Sequence, residues 1–249
     1  MMTKIKTPAE IVAMRESGRM LATVLELVQK SIKPGITTKE LDTIAANELK
    51  KLGGTAPFLG YYGFPGVICI SVNDEVVHGI PGPYVVKSGD IVSFDFGVNY
   101  QGMITDAART ILIGPHNKAK QHLIDGTLES LDAGIAVVKD GVQVGDISEA
   151  IQSVLDEYGY GIVRDLVGHG VGHALHEDPN IPNYGRAGTG PVLEAGMTIA
   201  IEPMTTLGSY KVYTADDEWT VCTRDGSLAA HFEDTILITE TGADILTRL

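Results

Sequence analysis

The sequence predicts an α+β fold in which two similar halves, roughly residues 1–115 and 116–249, share one sheet and one core within a single domain. Two helical patterns followed by strand-like runs occur twice along the chain, which is typical of a diverged duplication. The matched strands of the two halves end on acidic residues, Asp95 in the first half and Glu202 in the second. Because approximate symmetry brings equivalent residues together at the interface of the halves, we expect these two acids to lie close to each other.

Two helices and three strands are expected in the first half. Residues 7–10 (TPAE) form a capping box with proline at the first helical position, and apolar residues keep helical spacing until residues 33–35 (KPG). A second helix begins at residues 37–40 (TTKE) and ends at residues 53–54 (GG). The strand-like runs that follow cover residues 67–72, 91–98 and 103–113.

The second half repeats this order. Helical patterns resume at residues 117–138 and 146–158, and the chain from Ile162 onward is mostly strand and loop. The matches pair residues 33–36 with 139–142, residues 88–95 with 195–202, residues 110–113 with 235–238, and Leu41, Ala45, Leu49 and Gly53 with Ile147, Ile151, Leu155 and Gly159. We interpret these matches as a diverged duplication.

The composition argues against several classes of protein. A net charge of -13 disfavours a nucleic-acid-binding surface, which needs clustered lysine and arginine. The chain has no apolar run that could act as a signal peptide, and none near the roughly 20 residues of a membrane span. Cys69 and Cys222 are the only cysteines, too few for a disulfide framework or a cysteine-rich zinc site. We therefore expect a cytoplasmic protein with no membrane or nucleic-acid partner.

Four acidic residues lie in or beside apolar strand-like runs. Alternation along its strand places Asp95 on the face opposite its aromatic neighbours. Asp106 lies in the next strand, where Arg109 is a candidate ion-pair partner. Glu202 ends an apolar run and Glu233 precedes another. Taken singly, each carboxylate has an ordinary interpretation as a solvated or hydrogen-bonded group.

His169 lies between glycines in residues 168–172 (GHGVG), which lets the backbone approach a ligand and argues against a helix. Alone, it is equally consistent with a structural histidine. Together, however, four carboxylates and one imidazole match the needs of a pair of first-row divalent ions, with the nitrogen favouring Mn, Fe, Co or Zn over Mg or Ca. Such a pair can activate water at neutral pH and polarise a carbonyl.

These residues and the motifs around them resemble the type I methionine aminopeptidases. The motifs are DFG (95–97), TD (105–106), GHGVG (168–172), HE (176–177), EP (202–203) and EDT (233–235). The resemblance covers almost the whole chain and implies the pita-bread (creatinase/aminopeptidase) fold, with two pseudo-symmetric halves around a shared antiparallel sheet. It also implies a single catalytic domain, monomeric and cytoplasmic, that removes the initiator methionine from nascent polypeptides at the ribosome and prefers a small second residue.

The resemblance implies a role for each candidate ligand. Asp106 and Glu233 would bridge two divalent metal ions. Asp95 would chelate one ion, and His169 and Glu202 would bind the other. Glu202 would also carry a proton from the attacking water to the leaving amine.

Other residues would contact the substrate by the same resemblance. His176 would stabilise the oxyanion of the tetrahedral intermediate, since a neutral histidine can donate where negative charge develops, and His78 would contact the amide beyond the scissile bond. His173 receives no ligand role, whereas His231 shares a strand face with Glu233, where a hydrogen bond to a metal ligand is one alternative. The methionine pocket would be built from Phe58, Tyr61, Phe64, Cys69, Leu175, Met204 and Trp219. Such side chains also fill ordinary cores.

Two rival interpretations remain open. A proline-specific peptidase of the same architecture, such as an Xaa-Pro aminopeptidase or prolidase, usually carries an extra N-terminal domain, whereas the catalytic pattern here begins almost at Met1. A non-catalytic binding module on the same scaffold would have lost metal ligands, and this chain keeps all five. The type II branch is disfavoured because the stretch between His176 and Glu202 is too short for its helical insertion.

Overall fold

The computed structural model describes residues 2–249, and its helices follow the predicted order. In the described chain the α-helices are α1 (Pro8–Ser31), α2 (Thr38–Leu52), α3 (Lys118–Ala136) and α4 (Val144–Tyr158). Thr7 and Glu10 form the predicted capping box of α1. The second helix of each pair ends on a left-handed glycine, Gly53 (φ 86°) after α2 and Gly159 (φ 71°) after α4, because glycine adopts this conformation without steric cost. None of the helices within residues 2–249 is long and apolar enough to cross a membrane.

The strands form four antiparallel sheets. Among the described residues they are β1 (Ile68–Val72), β2 (Glu75–Val77), β3 (Ile91–Tyr100), β4 (Met103–Leu112), β5 (Gly161–Ile162), β6 (Gly168–Gly170), β7 (Glu177–Ile181), β8 (Thr198–Ile201), β9 (Met204–Thr206), β10 (Val212–Thr214), β11 (Val221–Thr223), β12 (Ala229–His231), β13 (Asp234–Ile238) and β14 (Ala243–Ile245). The strand orders are β1-β3-β4, β10-β11-β2, β12-β9-β5 and β14-β13-β8-β6-β7. The three strands predicted in the first half are confirmed as β1, β3 and β4.

The first and last of these sheets join where β4 runs beside the segment that leads into β13. The Asp106 N–H donates to the Thr235 hydroxyl oxygen, and this hydroxyl donates to the Asp106 carbonyl, each at 2.8 Å. Ala108 and Glu233 exchange backbone hydrogen bonds of 3.2 Å and 3.1 Å. This junction forms the shared antiparallel sheet of the pita-bread fold, as predicted.

Each helix pair covers a buried apolar cluster of its own. Leu41 and Phe94 belong to the cluster under α1 and α2, and Ile147 and Ile199 belong to the cluster under α3 and α4. The single core expected from the sequence is therefore divided in two, because each amphipathic helix pair has its own sheet surface to cover. A third, smaller cluster, which includes Phe64, combines residues from both parts of the chain and adjoins the candidate site.

The close approach of α1 to the C-terminal segment gives a test of this packing. A Cβ on Gly18 would lie 2.0 Å from the carbonyl oxygen of Leu246, so a Gly18→Ala substitution forces the two segments apart. We expect it to lower the free energy of unfolding by about 1–3 kcal/mol, although alanine alone would favour the helix by about 1 kcal/mol. Urea unfolding of the metal-free protein measures the change.

Gly242→Ala is the matched control, because a Cβ at that position meets no atom within 4 Å. Its free energy of unfolding is expected to stay within about 0.5 kcal/mol of the parent value. A Gly18→Ala protein as stable as the parent would contradict the described contact.

Candidate active site

All five predicted metal-ligand residues line one cavity of about 420 Å³. Asp95 lies in β3, Asp106 in β4 and His169 in β6. Glu202 directly follows β8, and Glu233 directly precedes β13. Residues far apart in the sequence therefore meet at one place, and both parts of the chain contribute acids to it.

The pairing of β3 with β4 places the carboxylates of Asp95 and Asp106 on the same face of the sheet. Asp95 is opposite Ala108, and Asp106 is opposite Gly97. Because cross-strand partners share a face of the sheet, both carboxylates project from the same face. The other face carries Phe94 into the apolar cluster under α1 and α2, as the alternation of the sequence predicted.

The site is buried, and several of its carboxylate oxygens lack hydrogen-bond partners within residues 2–249. Asp106, His169 and Glu233 are 3%, 6% and 2% exposed, and one ligand atom of each lies within 4.8 Å of the other two. One carboxylate oxygen each of Asp95, Asp106 and Glu233 is buried and has no hydrogen-bond partner among the described residues. Buried polar atoms normally find partners, so these oxygens fit a cation that binds among them.

Arg109 does not neutralise this cluster. Its guanidinium pairs with Asp234 at 2.7 Å and donates to the backbone carbonyl of Glu233 at 2.6 Å. The interpretation of Asp106 as an ion-pair partner of Arg109 is therefore wrong. Arg109 forms its ion pair with the neighbouring acid Asp234, so it supplies no positive charge to the carboxylates at the cavity.

Burial makes the ionised cluster unfavourable without an added positive charge. It raises the pKa of Asp95 to about 7 and the pKa of Glu202 to about 8. Burial and, after it, the neighbouring carboxylates raise the pKa of Asp106 and Glu233 well above their usual range. A divalent cation would reverse these shifts because it favours the ionised form of each ligand.

The hydrogen bond of His169 sets its tautomer. Its Nδ1 lies 2.9 Å from the carbonyl oxygen of Gly170, which can only accept, so Nδ1 carries the proton. Burial lowers the pKa of the imidazole to about 3, which keeps the ring neutral. Nε2 therefore presents a lone pair, 3.5 Å from Oε1 of Glu202, and this is the form of histidine that binds metals.

His176 and His78 line the same cavity. The His176 ring contacts the His169 ring edge to face, with 4.4 Å between centroids, and its Nδ1 lies 2.8 Å from the Tyr61 hydroxyl. His78 adopts a left-handed φ of 61°, a strained conformation that is often found at functional sites. Burial lowers the pKa of His78 to about 4 and so keeps it neutral.

An apolar pocket adjoins the acids. The residues predicted for it all line the cavity: Phe58, Tyr61, Phe64, Cys69, Leu175, Met204 and Trp219. The rings of Phe64 and Trp219 meet edge to face with 5.1 Å between centroids. Cys69 is a free thiol whose pKa burial raises well above its usual range, so it acts as an apolar side chain. A Cβ on Gly97 would lie 2.8 Å from the Phe58 ring, so the pocket wall requires glycine there.

Several residues of the cavity wall were missed by the sequence analysis. They are Val77, Asp165, Leu166, Val167, Glu177, Asp178 and Asn180. Three of them follow His176 closely in the chain, so adjacency to a predicted residue was a usable signal. Residues 165–167 belong to no motif, and only the folded chain brings them to the site.

The loop that carries His176 is held by the segment before α1 and by the first turn of α1. The buried ammonium group of Lys6 lies 3.7 Å from Oε2 of Glu177, and Nε2 of His173 lies 2.8 Å from Oε1 of Glu10. His173 thus pairs with the first turn of α1. These contacts connect the first ten residues to the wall of the cavity.

Comparisons with known proteins agree with this geometry. The sequence profile described as metallopeptidase family M24 matches residues 12–240. Methionine aminopeptidase 1 of Bacillus subtilis (strain 168) is 51% identical over 244 residues, which cover 98% of each chain. The crystal structure of methionine aminopeptidase from Thermotoga maritima matches with a TM-score of 0.98 and 48% identity, over 100% of both chains. The prolidase from Pyrococcus furiosus matches with a TM-score of 0.80 and 26% identity, over 98% of this chain and 65% of that one.

These matches bear out the resemblance stated from the motifs and the fold that it implied. The similarity to methionine aminopeptidases extends over the full length at about twice the identity of the prolidase match, so the proline-specific alternative is not favoured. The chain belongs to metallopeptidase family M24 and, within it, to the methionine aminopeptidases.

Proposed function

We propose that this chain is a metalloaminopeptidase that removes the initiator methionine from nascent proteins with a small second residue. The observation that carries the proposal is the adjacency of two features in one cavity. Buried carboxylate oxygens without hydrogen-bond partners fit cations, and an apolar pocket beside them fits a methionine side chain. The proposal includes a single catalytic domain, residues 1–249, made by duplication, since acids from both parts of the chain are needed for the site.

Two divalent ions, drawn from Co, Mn, Fe and Zn, are the proposed cofactors. Asp106 and Glu233 would bridge them, a role that suits the deeply buried acids of the cluster. Asp95 would hold one ion, and His169 with Glu202 would hold the other. Bound there, the ions would activate water and polarise the scissile carbonyl.

Glu202 is proposed to move the proton. Its side chain is 13% exposed, more than Asp106 or Glu233, so it lies where solvent and substrate can reach it. One oxygen would accept a proton from the attacking water and then deliver it to the leaving amine. The leaving group then departs as a neutral amine rather than as an anion.

His176 is proposed to donate to the oxyanion of the tetrahedral intermediate. The Tyr61 hydroxyl can donate to Nδ1 at 2.8 Å, which leaves the proton of the neutral ring on Nε2. A donor held in advance at this position stabilises developing negative charge without reorganisation. His78 would contact the amide beyond the scissile bond, and the strained backbone at this residue supports a fixed orientation.

The setting of the enzyme is part of the proposal. We place it in the cytoplasm as a monomer that meets nascent polypeptides at the ribosome. The free thiols Cys69 and Cys222 fit a reducing compartment. The net charge of -13 disfavours direct contact with RNA, so the enzyme would meet nascent N-termini at the ribosome without binding ribosomal RNA.

A substrate panel tests the assignment. With Mn²⁺ or Co²⁺ present, we expect the chain to cleave Met-Ala-X peptides with a kcat/KM at least roughly 100-fold above that for X-Pro peptides, measured by mass spectrometry of the products. The apolar pocket and the absence of a charged residue among its predicted wall residues are the reasons for this preference. Preferential cleavage of X-Pro peptides would favour a prolidase-like enzyme. No turnover together with no tight metal site in calorimetry would favour a binding module.

Removal of a shared ligand should abolish both metal binding and turnover. We expect Asp106→Ala and Glu233→Ala each to leave no measurable cleavage and a reduced metal content by elemental analysis, because each removes a proposed bridge. Asp156→Ala is the matched control, since this exposed carboxylate on α4 accepts only from the side chain of Gln152. Full metal content in either bridge variant would argue against the proposed ligand set.

Removal of the oxyanion donor should slow turnover without loss of metal. We expect His176→Ala to keep the metal content of the parent and to lower kcat by about 10²–10³-fold, the usual scale for one such donor. His122→Ala serves as the control, because this exposed histidine on α3 contacts Tyr160 away from the cavity. A His176→Ala protein that cleaves at the parent rate would refute the proposed role.

A further inference from the structure

His231 is a buried histidine that the mechanism above does not use. It ends β12, is 2% exposed and does not line the cavity. Its Nε2 lies 3.6 Å from Oε2 of Glu202, and neither ring nitrogen has a hydrogen-bond partner in the part of the chain that the structure describes. A buried imidazole without partners is unfavourable, so its place beside a candidate metal ligand calls for an explanation.

Two hydrogen bonds hold the backbone of His231 in place. The Thr110 hydroxyl donates to the His231 carbonyl at 2.6 Å and accepts from the His231 N–H at 3.0 Å. Ser93 lies opposite Thr110 across β3 and β4, and its hydroxyl can donate to Thr110 Oγ1 at 2.8 Å because the Thr110 proton is already engaged. The same two strands carry Asp95 and Asp106. His231 is therefore tied to the hairpin that supplies two candidate ligands.

Few groups can donate a hydrogen bond to the Glu202 carboxylate. Nε2 of His169 lies 3.5 Å from Oε1, but it carries a lone pair because Nδ1 of that ring donates to Gly170. A lone pair and a carboxylate oxygen cannot form a hydrogen bond with each other. Of the two imidazoles beside Glu202, only His231 can donate to it.

We propose that His231 is a positioning residue whose Nε2–H donates to Oε2 of Glu202 and so leaves Oε1 directed at the cavity. A movement of roughly 0.6 Å brings the two atoms to an ordinary hydrogen-bond distance. The inference rests on the proposed function, in which Glu202 binds a cation and carries a proton. When His231 holds Oε2 of Glu202, Oε1 is free to bind the cation and to carry the proton. Loss of the donor therefore weakens metal binding and slows turnover together.

Two substitutions separate hydrogen bonding from packing. His231→Leu removes the donor and keeps an apolar side chain of similar size, whereas His231→Gln keeps an N–H of similar reach. We expect His231→Leu to lower kcat on a Met-Ala-X peptide by about 10–100-fold and to weaken Mn²⁺ binding about 10-fold in isothermal titration calorimetry. His231→Gln is expected to stay within about 3-fold of the parent in both measurements. His122→Leu, at the exposed histidine of α3, is the control for the loss of an imidazole.

Two readouts do not depend on activity. In the metal-free protein the ring nitrogens of His231 have no hydrogen-bond partner among residues 2–249, and the proposed bond forms when Glu202 is ionised and binds a cation. His231→Leu should therefore not lower the thermal unfolding midpoint of the metal-free protein, and a fall would indicate a merely structural role and overturn the proposal. In the ¹⁵N spectrum of the Zn²⁺-loaded protein, Nε2 of His231 should appear as a protonated nitrogen. An unprotonated Nε2 there, or a His231→Leu protein with parent kcat and parent Mn²⁺ affinity, would also overturn it.

Failure of this inference is distinguishable from failure of the proposed function. If the parent does not cleave Met-Ala-X peptides but His231→Leu still weakens Mn²⁺ binding, the peptidase assignment fails and the positioning of Glu202 stands. If the parent is active and His231→Leu matches it in kcat and affinity, only the positioning fails.

Discussion

Desolvation of four carboxylates around one cavity is the constraint on which the rest of the structure depends. Burial raises the pKa of Asp95, Asp106, Glu202 and Glu233, so the cluster resists ionisation unless positive charge enters it. A protein core normally excludes such a group or pairs it with lysine or arginine. Here no lysine or arginine among the described residues pairs with these four carboxylates, and their oxygen atoms fit divalent cations.

The junction between β4 and the start of β13 makes this arrangement rigid. Thr235 holds the backbone of Asp106 through two hydrogen bonds of 2.8 Å. Arg109 binds Asp234 and the backbone carbonyl of Glu233, so its charge fixes the position of Glu233 without neutralising that carboxylate. The hydrogen bonds that join the two parts of the chain into one sheet thus also set the distance between Asp106 and Glu233.

Local signals in the sequence were sufficient for most of the fold and singled out the five candidate metal ligands, whereas the other predicted cavity residues came from the family resemblance. Capping boxes and glycine stops marked the helices, and strict alternation along β3 placed Asp95 opposite the aromatic residues. These local signals did not predict features that depend on contacts between residues distant in the sequence. Arg109 pairs with Asp234, more than a hundred residues away, rather than with nearby Asp106, and the core divides because each helix pair covers its own surface. Residues 165–167 reach the cavity only through the tertiary fold.

The contacts of Lys6 and Glu10 with the loop of His176 have a practical consequence for handling this protein. Lys6 pairs with Glu177 and Glu10 pairs with His173, so the first ten residues support the wall of the cavity. An affinity tag or fusion partner attached ahead of this segment would lie next to these contacts, and proteolytic trimming of the segment would remove them. The opposite terminus is the safer attachment point, because Leu249 is 75% exposed and does not line the cavity.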